Sequence, residues 1–386
     1  MKIAYLSQTA LSDVDFSYIK EAQKIMDITY YILVSPGQRQ KAAVNFNTLS
    51  NSFGIINASE IPELRKFSVI VDLRKVFVVN YTSTSNHQFR KIVESYKVYR
   101  ELKQKGYDII HLTWPPSYMD WFIYRLKKKI VLTVHDPFPH SSAVNSMREY
   151  ERKKCFKQFN NFIVLNQAQR NDFISRYHLE NKNVYSSFLS CYDYLHMYDS
   201  KVKDVNIHQI LFFGQIFSHK GVDYLISAME KVHKEIPDAK LIIAGSGKFW
   251  FDITPYKKSD CITIINRYIP DDELVELLSS SSFVVVPYID ATQSGVIMTA
   301  YTFAKPCIAT NVGALPEMVE DGINGEIVPP KDSKALSIAI LKLMKNQELV
   351  NEYSNAIKDQ YGQGDKSWSF LAHDYMDIYL RILNRG

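Results

Sequence analysis

The stretch from Phe283 to Glu317 reads FVVVPYIDATQSGVIMTAYTFAKPCIATNVGALPE. Its first four residues, Phe283 to Val286, are an apolar, β-branched run with the length of a strand buried on both faces. Pro287 stops the run, and a polar loop follows, Asp290-Ala291-Thr292-Gln293-Ser294-Gly295. Val296 to Phe303 carries no charge on any face, which predicts a buried helix, and Lys305-Pro306 ends it. Cys307 to Thr310 is a second short buried strand. Strand, loop, helix and strand make a βαβ unit whose helix N-terminus points free amides into the loop. That is an anion site, and phosphate is the usual anion. Any α/β protein has several such turns, most of them empty, so the reading depends on what else shares the sheet edge.

Outside this stretch the chain alternates strands and helices in two series. The first opens with Lys2 to Ser7, a helix from Phe16 to Met26 and a strand Thr29 to Val34. Val69 to Val71 and Val76 to Val79 read as strand fragments. Asn86 to Lys105 reads as a helix that closes at Gly106, as a C-terminal glycine should. Strands at Asp108 to Leu112 and Ile130 to His135 flank a helix over Trp121 to Lys129. They carry His111 and His135 at their C-terminal ends, where open α/β sheets bind ligands. A strand Phe162 to Asn166 and a helix Gln169 to Tyr177 follow. The turn-prone segment 191–207 reads as a linker. The second series has strand Gln209 to Phe213, helix Val222 to Lys234, strands Ala239 to Ala244 and Ile262 to Ile265, helix Asp271 to Leu278, and then the opening stretch. Ser369 to Leu383 is an amphipathic last helix with Phe370, Tyr375, Ile378, Tyr379 and Ile382 at helical spacing. The pattern predicts an α/β protein of two doubly wound domains.

A chain of 386 residues, 46% hydrophobic and 23% charged, is an ordinary soluble composition with room for two cores. The four scattered cysteines have no metal-ligand spacing and read as reduced thiols of a cytoplasmic protein. The N-terminal apolar run is too short for a signal peptide, and no run reaches the ~20 apolar residues that span a bilayer. The net charge of +5 divides unevenly: residues 1–186 carry roughly +11 and the remainder about −6. Basic residues at Arg90-Lys91, Lys97 to Lys105, Arg125 to Lys129 and Arg152 to Lys157 are interleaved with Tyr, Phe and Leu. They read either as a surface for anionic lipid headgroups or as solvated helix faces.

Two further turns share the expected sheet edge. Gly214-Gln215-Ile216-Phe217-Ser218-His219-Lys220-Gly221 follows the first strand of the second series and offers Lys220 to a phosphate, although it lacks the P-loop spacing. Gly245-Ser246-Gly247 follows the neighbouring strand. Three such turns together point to a phosphorylated ligand. Elsewhere, Asp13-Val14-Asp15 has the form of a metal-binding pair, and His135 and His140 in HDPFPH are spaced like ligands but lack a third, so no metal is expected. Trp114, Pro115 and Pro116 could wall a sugar or lipid acceptor, or be plain core.

Gly214…Lys220-Gly221, Ala244-Gly245-Ser246-Gly247, Pro287, Lys305-Pro306-Cys307-Ile308-Ala309-Thr310 and Gly313-Ala314-Leu315-Pro316-Glu317 occur in order and at matching spacing. In these the second half resembles the donor-binding domain of the family-4 retaining glycosyltransferases of GT-B fold, strongly over residues 208–345. Val134-His135-Asp136 is the clearest match in the first half. The resemblance implies two Rossmann-like domains facing across a cleft: an acceptor-side domain 1–190, a linker 191–207, a nucleotide-sugar domain 208–367, and a last helix 368–386 that crosses back. It implies a nucleotide-diphosphate sugar as co-substrate, no cofactor and no metal. Lys220 would neutralise the diphosphate and His135 would face the transferred sugar. Gly214, Gln215, Gly245, Gly295, Val296 and Ile297 would line the phosphates, the last three with backbone amides. Gln293, Ser294 and Thr299 could bond the sugar and ribose, and Glu317 is either a donor contact or only a helix-dipole partner.

The departures are specific. The family's arginine before the lysine is missing, with Gln215 and Phe217 at the candidate positions. Its two glutamates are replaced by Ala291 and Thr299. The chain resembles a branch with a Thr-Gln-Ser-Gly loop that manages without them. The expectation is a cytoplasmic glycosyltransferase acting on a glycan or lipid-linked acceptor in cell-surface polysaccharide or glycolipid synthesis, peripheral on the inner face of the membrane if the acceptor is a lipid. A catalytically inactive GT-B module that binds a nucleotide or a partner is the alternative. An epimerase would need carboxylates in the site, and nucleic-acid binding, suggested by the basic half alone, is not expected.

Overall fold

The apolar runs become parallel strands of two separate sheets. The computed structural model describes residues 1–39, 44–84, 88–117, 120–135, 137–138, 146–165, 167, 169–201, 203–291 and 293–384, with backbone alone at 128 and 146–148. The chain divides into two units, Met1–Leu189 with Trp368–Gly386, and Ser190–Ser367.

The first unit holds β1 (Lys2–Gln8), β2 (Asp27–Val34), β3 (Gly54–Asn57), β4 (Val76–Asn80), β5 (Ile109–Leu112), β6 (Ile130–Val134), β7 (Asn161–Val164) and β8 (Asn183–Ser186). Their order is β3-β4-β2-β1-β5-β6-β7-β8, and only β3 runs antiparallel to its neighbour. The second unit holds β9 (Asn206–Phe213), β10 (Lys240–Ala244), β11 (Ile262–Ile265), β12 (Ser281–Val286), β13 (Cys307–Thr310) and β14 (Gly325–Val328), all parallel, in the order β11-β10-β9-β12-β13-β14. The helices in chain order are α1 (Ser12–Ile25), α2 (Arg90–Lys105), α3 (Ser146–Gln158), α4 (Arg170–Tyr177), α5 (Val222–Glu235), α6 (Asp271–Ser280), α7 (Gly295–Thr302), α8 (Leu315–Met318), α9 (Ser333–Met344), α10 (Gln347–Ile357) and α11 (Trp368–Asn384).

Most elements follow their hydrophobic period. β12 and β13 are buried at every residue, as continuous apolar strands covered on both faces must be. α5 buries Val222, Leu225, Ile226, Met229 and Val232 along one face. α2 closes at Gly106 with φ +67, the left-handed cap predicted from its glycine.

Several expectations need correction. Val69 to Val71 is no strand: Pro62–Val69 is a 3-10 segment and the chain turns after it. The helix read over Trp121 to Lys129 is a 3-10 segment, Ile123–Lys129. Within the turn-prone stretch after Leu189, Asp193–Lys201 forms 3-10 structure packed on α6, and Asn206 already begins β9. β14, α9 and α10 occupy a stretch that sequence analysis leaves unassigned. In α11 the buried stripe is Trp368, Leu371, Ala372, Tyr375, Ile378, Tyr379 and Ile382, while Phe370 is exposed.

α11 packs on α1 and closes over a polar network in the middle of the first unit. The Tyr379 hydroxyl meets that of Tyr18 at 3.3 Å and Nδ1 of His111 at 2.6 Å, while His111 Nε2 meets the Thr133 hydroxyl at 2.6 Å. His111 is therefore a fully buried, doubly bonded core residue and not the ligand-facing strand end its position suggested. Burial, helped by nearby His135, drives its pKa down to about 3, so it is held neutral. Asp15 is also buried and accepts the hydroxyls of Tyr5 at 2.8 Å and Tyr30 at 3.0 Å. Its carboxylate is thus committed to two tyrosines, while Asp13 accepts the Val14 amide at 2.9 Å. Burial lifts the Asp15 pKa to about 7 against the pull of its hydrogen bonds.

These two groups act oppositely on stability. Asp15 holds a proton in the folded state that the unfolded chain gives up, so its contribution is full below pH ~4 and is lost as pH rises to about 7. His111 stays neutral when folded while the unfolded chain takes a proton, so its contribution is full above pH ~6.5 and is lost as pH falls towards 3. Asp15→Asn removes the first term alone. Thermal melts of the variant between pH 4 and 8 are expected to show stability rising more steeply with pH than in the wild type. Parallel profiles would show that Asp15 titrates normally.

Candidate functional site

The second unit brings three glycine turns together at the C-terminal edge of its sheet. β9 ends at Phe213, and Gly214 turns the chain with φ +114. A 3-10 turn, Ser218–Lys220, then leads through Gly221, φ +66, into α5. Close backbone approach explains these glycines. A Cβ on Gly221 would lie 2.0 Å from the Pro287 carbonyl oxygen, and one on Gly245, φ +149, would lie 1.8 Å from the Gly214 oxygen. The Gly214 amide donates to Ala244 O at 3.0 Å, the Ile216 amide to Ser246 O at 3.0 Å, and the Ile289 amide to His219 O at 2.7 Å. Gly245 is thus required by contact with the neighbouring turn, whether or not a phosphate lies near it.

Lys220 sits at the end of this turn. Its ammonium lies 3.6 Å from the centroid of the Tyr288 ring, and no hydrogen bond or ion pair to it is found among the described residues. Burial lowers its pKa to about 8. A half-buried cation held over an aromatic face keeps most of its charge at pH 7 and lacks an anion. Tyr288 itself is buried beneath it, and its carbonyl accepts the Thr310 hydroxyl at 2.5 Å.

α7 begins beside the same turn, since a Cβ on Gly214 would lie 3.4 Å from Val296 Cγ2. Ser294 precedes the helix without a side-chain cap, so the leading amides of Gly295, Val296 and Ile297 have no partner from its side chain. The Ser294 amide points to Met318 Sδ at 3.4 Å, which places α8 against the start of α7. Glu317 lies in α8 and is exposed, as is Gln215 in the first turn, while Gln293 is half-buried. Thr299 is buried, and its hydroxyl donates to Gly295 O at 2.8 Å, leaving it only acceptor capacity for a ligand. Ala291 and Thr299 leave no carboxylate at the two positions of interest. Thr292, Asp136 and His140 lie outside the described residues.

His135 belongs to the first unit, one residue past β6. It lines a cavity of only 20 Å³ together with Asp15, Tyr18, Thr133 and Tyr375.

Tyr288 and Tyr192 have no assigned role in the sequence reading, and Lys305 enters it only as a helix end and a motif residue. Gly295 lies against the Tyr192 hydroxyl, so close that a Cβ would come within 2.5 Å. Lys305 is 9% exposed and donates to Ser279 O at 2.9 Å and Ser281 O at 2.7 Å. It ties the end of α6 to β12. The sequence signal for its burial is a lysine between buried helix and buried strand, where solvent is out of reach.

Two doubly wound α/β units in tandem, the second carrying a lysine and an amide-rich helix start at its sheet edge, define the GT-B fold. Among solved structures, sucrose-phosphate synthase from Thermosynechococcus elongatus matches with a TM-score of 0.69 at 15% identity, over 100% of both chains. Anabaena HepE in complex with UDP and glucose matches with a TM-score of 0.68 at 13% identity, over 99% of this chain and 100% of that one. The family model described as Glycosyl transferases group 1 matches residues 207–346, and the one described as Glycosyltransferase Family 4 matches residues 57–185. The chain belongs to the family-4 glycosyltransferases. It is 31% identical to an uncharacterized glycosyltransferase of Methanocaldococcus jannaschii over 44% of each chain. It is 24% identical to the phosphatidyl-myo-inositol mannosyltransferase of Mycobacterium leprae, over 84% of this chain and 87% of that one. Several of the relatives it matches are spanned over less than half their length.

The backbone contacts make a stability prediction. Gly245→Ala, with both positive φ and a carbonyl in the way, should destabilise the second unit by at least about 2 kcal/mol in urea unfolding. Gly106→Ala meets nothing within 4 Å and should cost less. Equal losses would mean that backbone conformation alone, and not the close approach, sets the requirement.

Proposed function

We propose that the protein is a retaining, metal-independent glycosyltransferase that moves a sugar from a nucleotide-diphosphate sugar to a glycan or lipid-linked acceptor in cell-surface polysaccharide or glycolipid synthesis. The observation that carries the reading is Lys220, a half-buried ammonium with no anionic partner among the described residues, at the end of the turn whose Gly214 meets Val296 at the start of α7, which Ser294 leaves uncapped. A diphosphate would complete both. In the transition state the leaving group gains negative charge, and a cation and aligned amides already in place stabilise that charge more than the ground state. HepE, solved with UDP and glucose, supports a nucleotide as the occupant. His135 is assigned to the transferred sugar, and Gln293, Ser294 and Glu317 to the donor's polar edges. No protein nucleophile is assigned, and the acceptor hydroxyl attacks on the face that the phosphate leaves.

The test is thermal stabilisation by a panel of nucleoside diphosphates and nucleotide sugars. A ligand at 100 times its dissociation constant adds about 2.7 kcal/mol. One nucleotide is expected to raise the melting temperature of the wild type and not of Lys220→Ala, whose turnover should fall by ~10²–10³-fold, the scale of removing one such donor. Absence of any shift would favour an inactive GT-B module, a reading that the missing carboxylates at Ala291 and Thr299 support.

We assign the protein to the cytoplasm and place it peripherally on an anionic membrane. Among the described residues no helix is long and apolar enough to cross a bilayer. On the outer face of α2, Val93 and Tyr96 are exposed, Phe89 just before it is 82% exposed, and Lys97 and Arg100 further along the helix are exposed as well. Phe122 contacts Tyr96 at 4.9 Å, with Arg125 over its ring at 5.3 Å. Aromatic groups flanked by cations suit an anionic headgroup layer. Vesicles with phosphatidylserine are expected to sediment the wild type at low salt and not the double variant Phe89→Glu, Val93→Glu. Equal sedimentation of both would leave this face as plain solvated surface.

A further inference from the structure

The first unit has a ligand-sized cavity of its own. It encloses 240 Å³ at the C-terminal ends of β1, β2, β4 and β5, beneath the inner face of α2. The sheet order sets β2 on one side of β1 and β5 on the other, so the chain reverses its direction of travel between β1 and β5. In open α/β sheets the crevice at such a reversal is where ligands bind. Gln8 ends β1, Trp114 follows β5, and both line the cavity.

The lining describes the ligand. Lys91 is 8% exposed, its ammonium 3.2 Å from the centroid of the Tyr81 ring and 3.7 Å from Asp120 Oδ1. No hydrogen bond to that ammonium is found among the described residues. A buried ammonium without a hydrogen bond is costly. The other oxygen of Asp120 accepts the Ser117 amide at 3.0 Å and hydroxyl at 2.8 Å, which fixes the carboxylate and leaves Oδ1 facing Lys91. A hydroxyl group placed between the two accepts from Lys91 and donates to Asp120. An anion would be attracted by one and repelled by the other.

A second polar arm stands across the cavity. Ser35 Oγ donates to Gln38 Oε1 at 3.0 Å, and Gln38 Nε2 donates to Gln8 Oε1 at 3.1 Å. This relay uses the carbonyl of Gln8 and leaves its amide hydrogens to donate. At the mouth stands Trp114, 47% exposed, followed by Pro115 and Pro116. Hydroxyl-binding groups inside and an aromatic face at the entrance match a sugar ring, whose edge is polar and whose faces carry C–H groups. The volume lies below the roughly 300–1,000 Å³ of pockets for drug-sized ligands, which limits the occupant to about one ring.

We propose that this cavity binds a single uncharged sugar residue, stacked on Trp114 and hydrogen-bonded between Lys91 and Asp120. Calling that residue the acceptor's rests on the transferase reading; its binding does not.

The experiment is saturation-transfer NMR on the full chain without nucleotide, using the methyl glycosides of glucose, galactose, mannose and N-acetylglucosamine. At least one is expected to show transfer to its ring protons. Its affinity should fall by at least about tenfold in Trp114→Ala, the scale of losing an aromatic anchor. Lys91→Met, which keeps the side-chain stem, should weaken it as well. Trp114 is exposed, so its variant remains readable by melting temperature if Lys91→Met fails to fold. The proposal is overturned if no glycoside binds, or if binding is unchanged in Trp114→Ala. It is overturned equally if glucuronic acid or glucose 6-phosphate binds more tightly and inorganic phosphate displaces it, which would make the cavity an anion site. A protein that binds a glycoside but no nucleotide keeps the cavity assignment and loses the transferase reading, and the reverse outcome does the opposite.

Discussion

The second unit depends on backbone meeting backbone. Gly214, Gly221, Gly245 and Gly247 allow the turns after β9 and β10 and the loop after β12 to touch through carbonyls and amides, with no side chains between. A turn spaced by side chains would stand several ångströms further out, and Lys220 would not reach the ring of Tyr288. The contact also fixes the start of α7 through Val296. Position at this edge is therefore set by main-chain contacts, and the Lys220 side chain is held over an aromatic ring.

The first unit solves a different problem, that of burying polar groups. Asp15, Tyr5, Tyr30, Tyr18, Tyr379, His111 and Thr133 are nearly all sealed from solvent, and each has a hydrogen-bond partner inside. A network satisfied in this way fixes geometry, because every displacement leaves an unpaired group in a low-dielectric interior. α11 is part of it through Tyr379, so the last helix is bound to the first sheet by directional bonds as well as by its apolar stripe. α2 is used on both faces: Lys91 and Val98 line the cavity, while Val93 and Tyr96 look outward.

How far the sequence could be read follows from these arrangements. Strands buried on both faces, such as β12 and β13, are plain because burial admits only apolar residues there. β3 is half-exposed along its length and lies at the sheet edge, so neither burial nor alternation marks it. The Gly214–Gly221 turn and the α7 start were visible as glycine patterns between strand and helix. The Gly245 turn was visible too, but its glycine answers to a neighbouring carbonyl, which no sequence distinguishes from a phosphate contact. The strand-end position of His111 does not reveal its burial, because the element covering it comes from 268 residues further along the chain, at Tyr379. Trp114 was readable as a wall but not as a mouth, since Lys91, Asp120 and Gln8 join it only through the fold.

The missing carboxylates and the missing arginine belong together electrostatically. On the family pattern the donor site would carry an arginine and a lysine against two glutamates, which sum to no net charge. Here Gln215 or Phe217, Lys220, Ala291 and Thr299 leave a single positive charge. A diphosphate approaching these four positions meets one cation and neither of the two glutamates, so a second cation is not needed to offset their repulsion. At an effective dielectric constant of about 20, each unit charge some 4 Å away is worth roughly 4 kcal/mol before screening. On the proposed reading the substitutions would give up hydrogen-bonding direction at the sugar and ribose, leaving Gln293, Ser294 and the acceptor lone pairs of Thr299 as the neutral groups to supply it. Such a site would hold the phosphates by charge and the sugar by weaker, neutral contacts, so its affinity should lie mostly in the nucleotide.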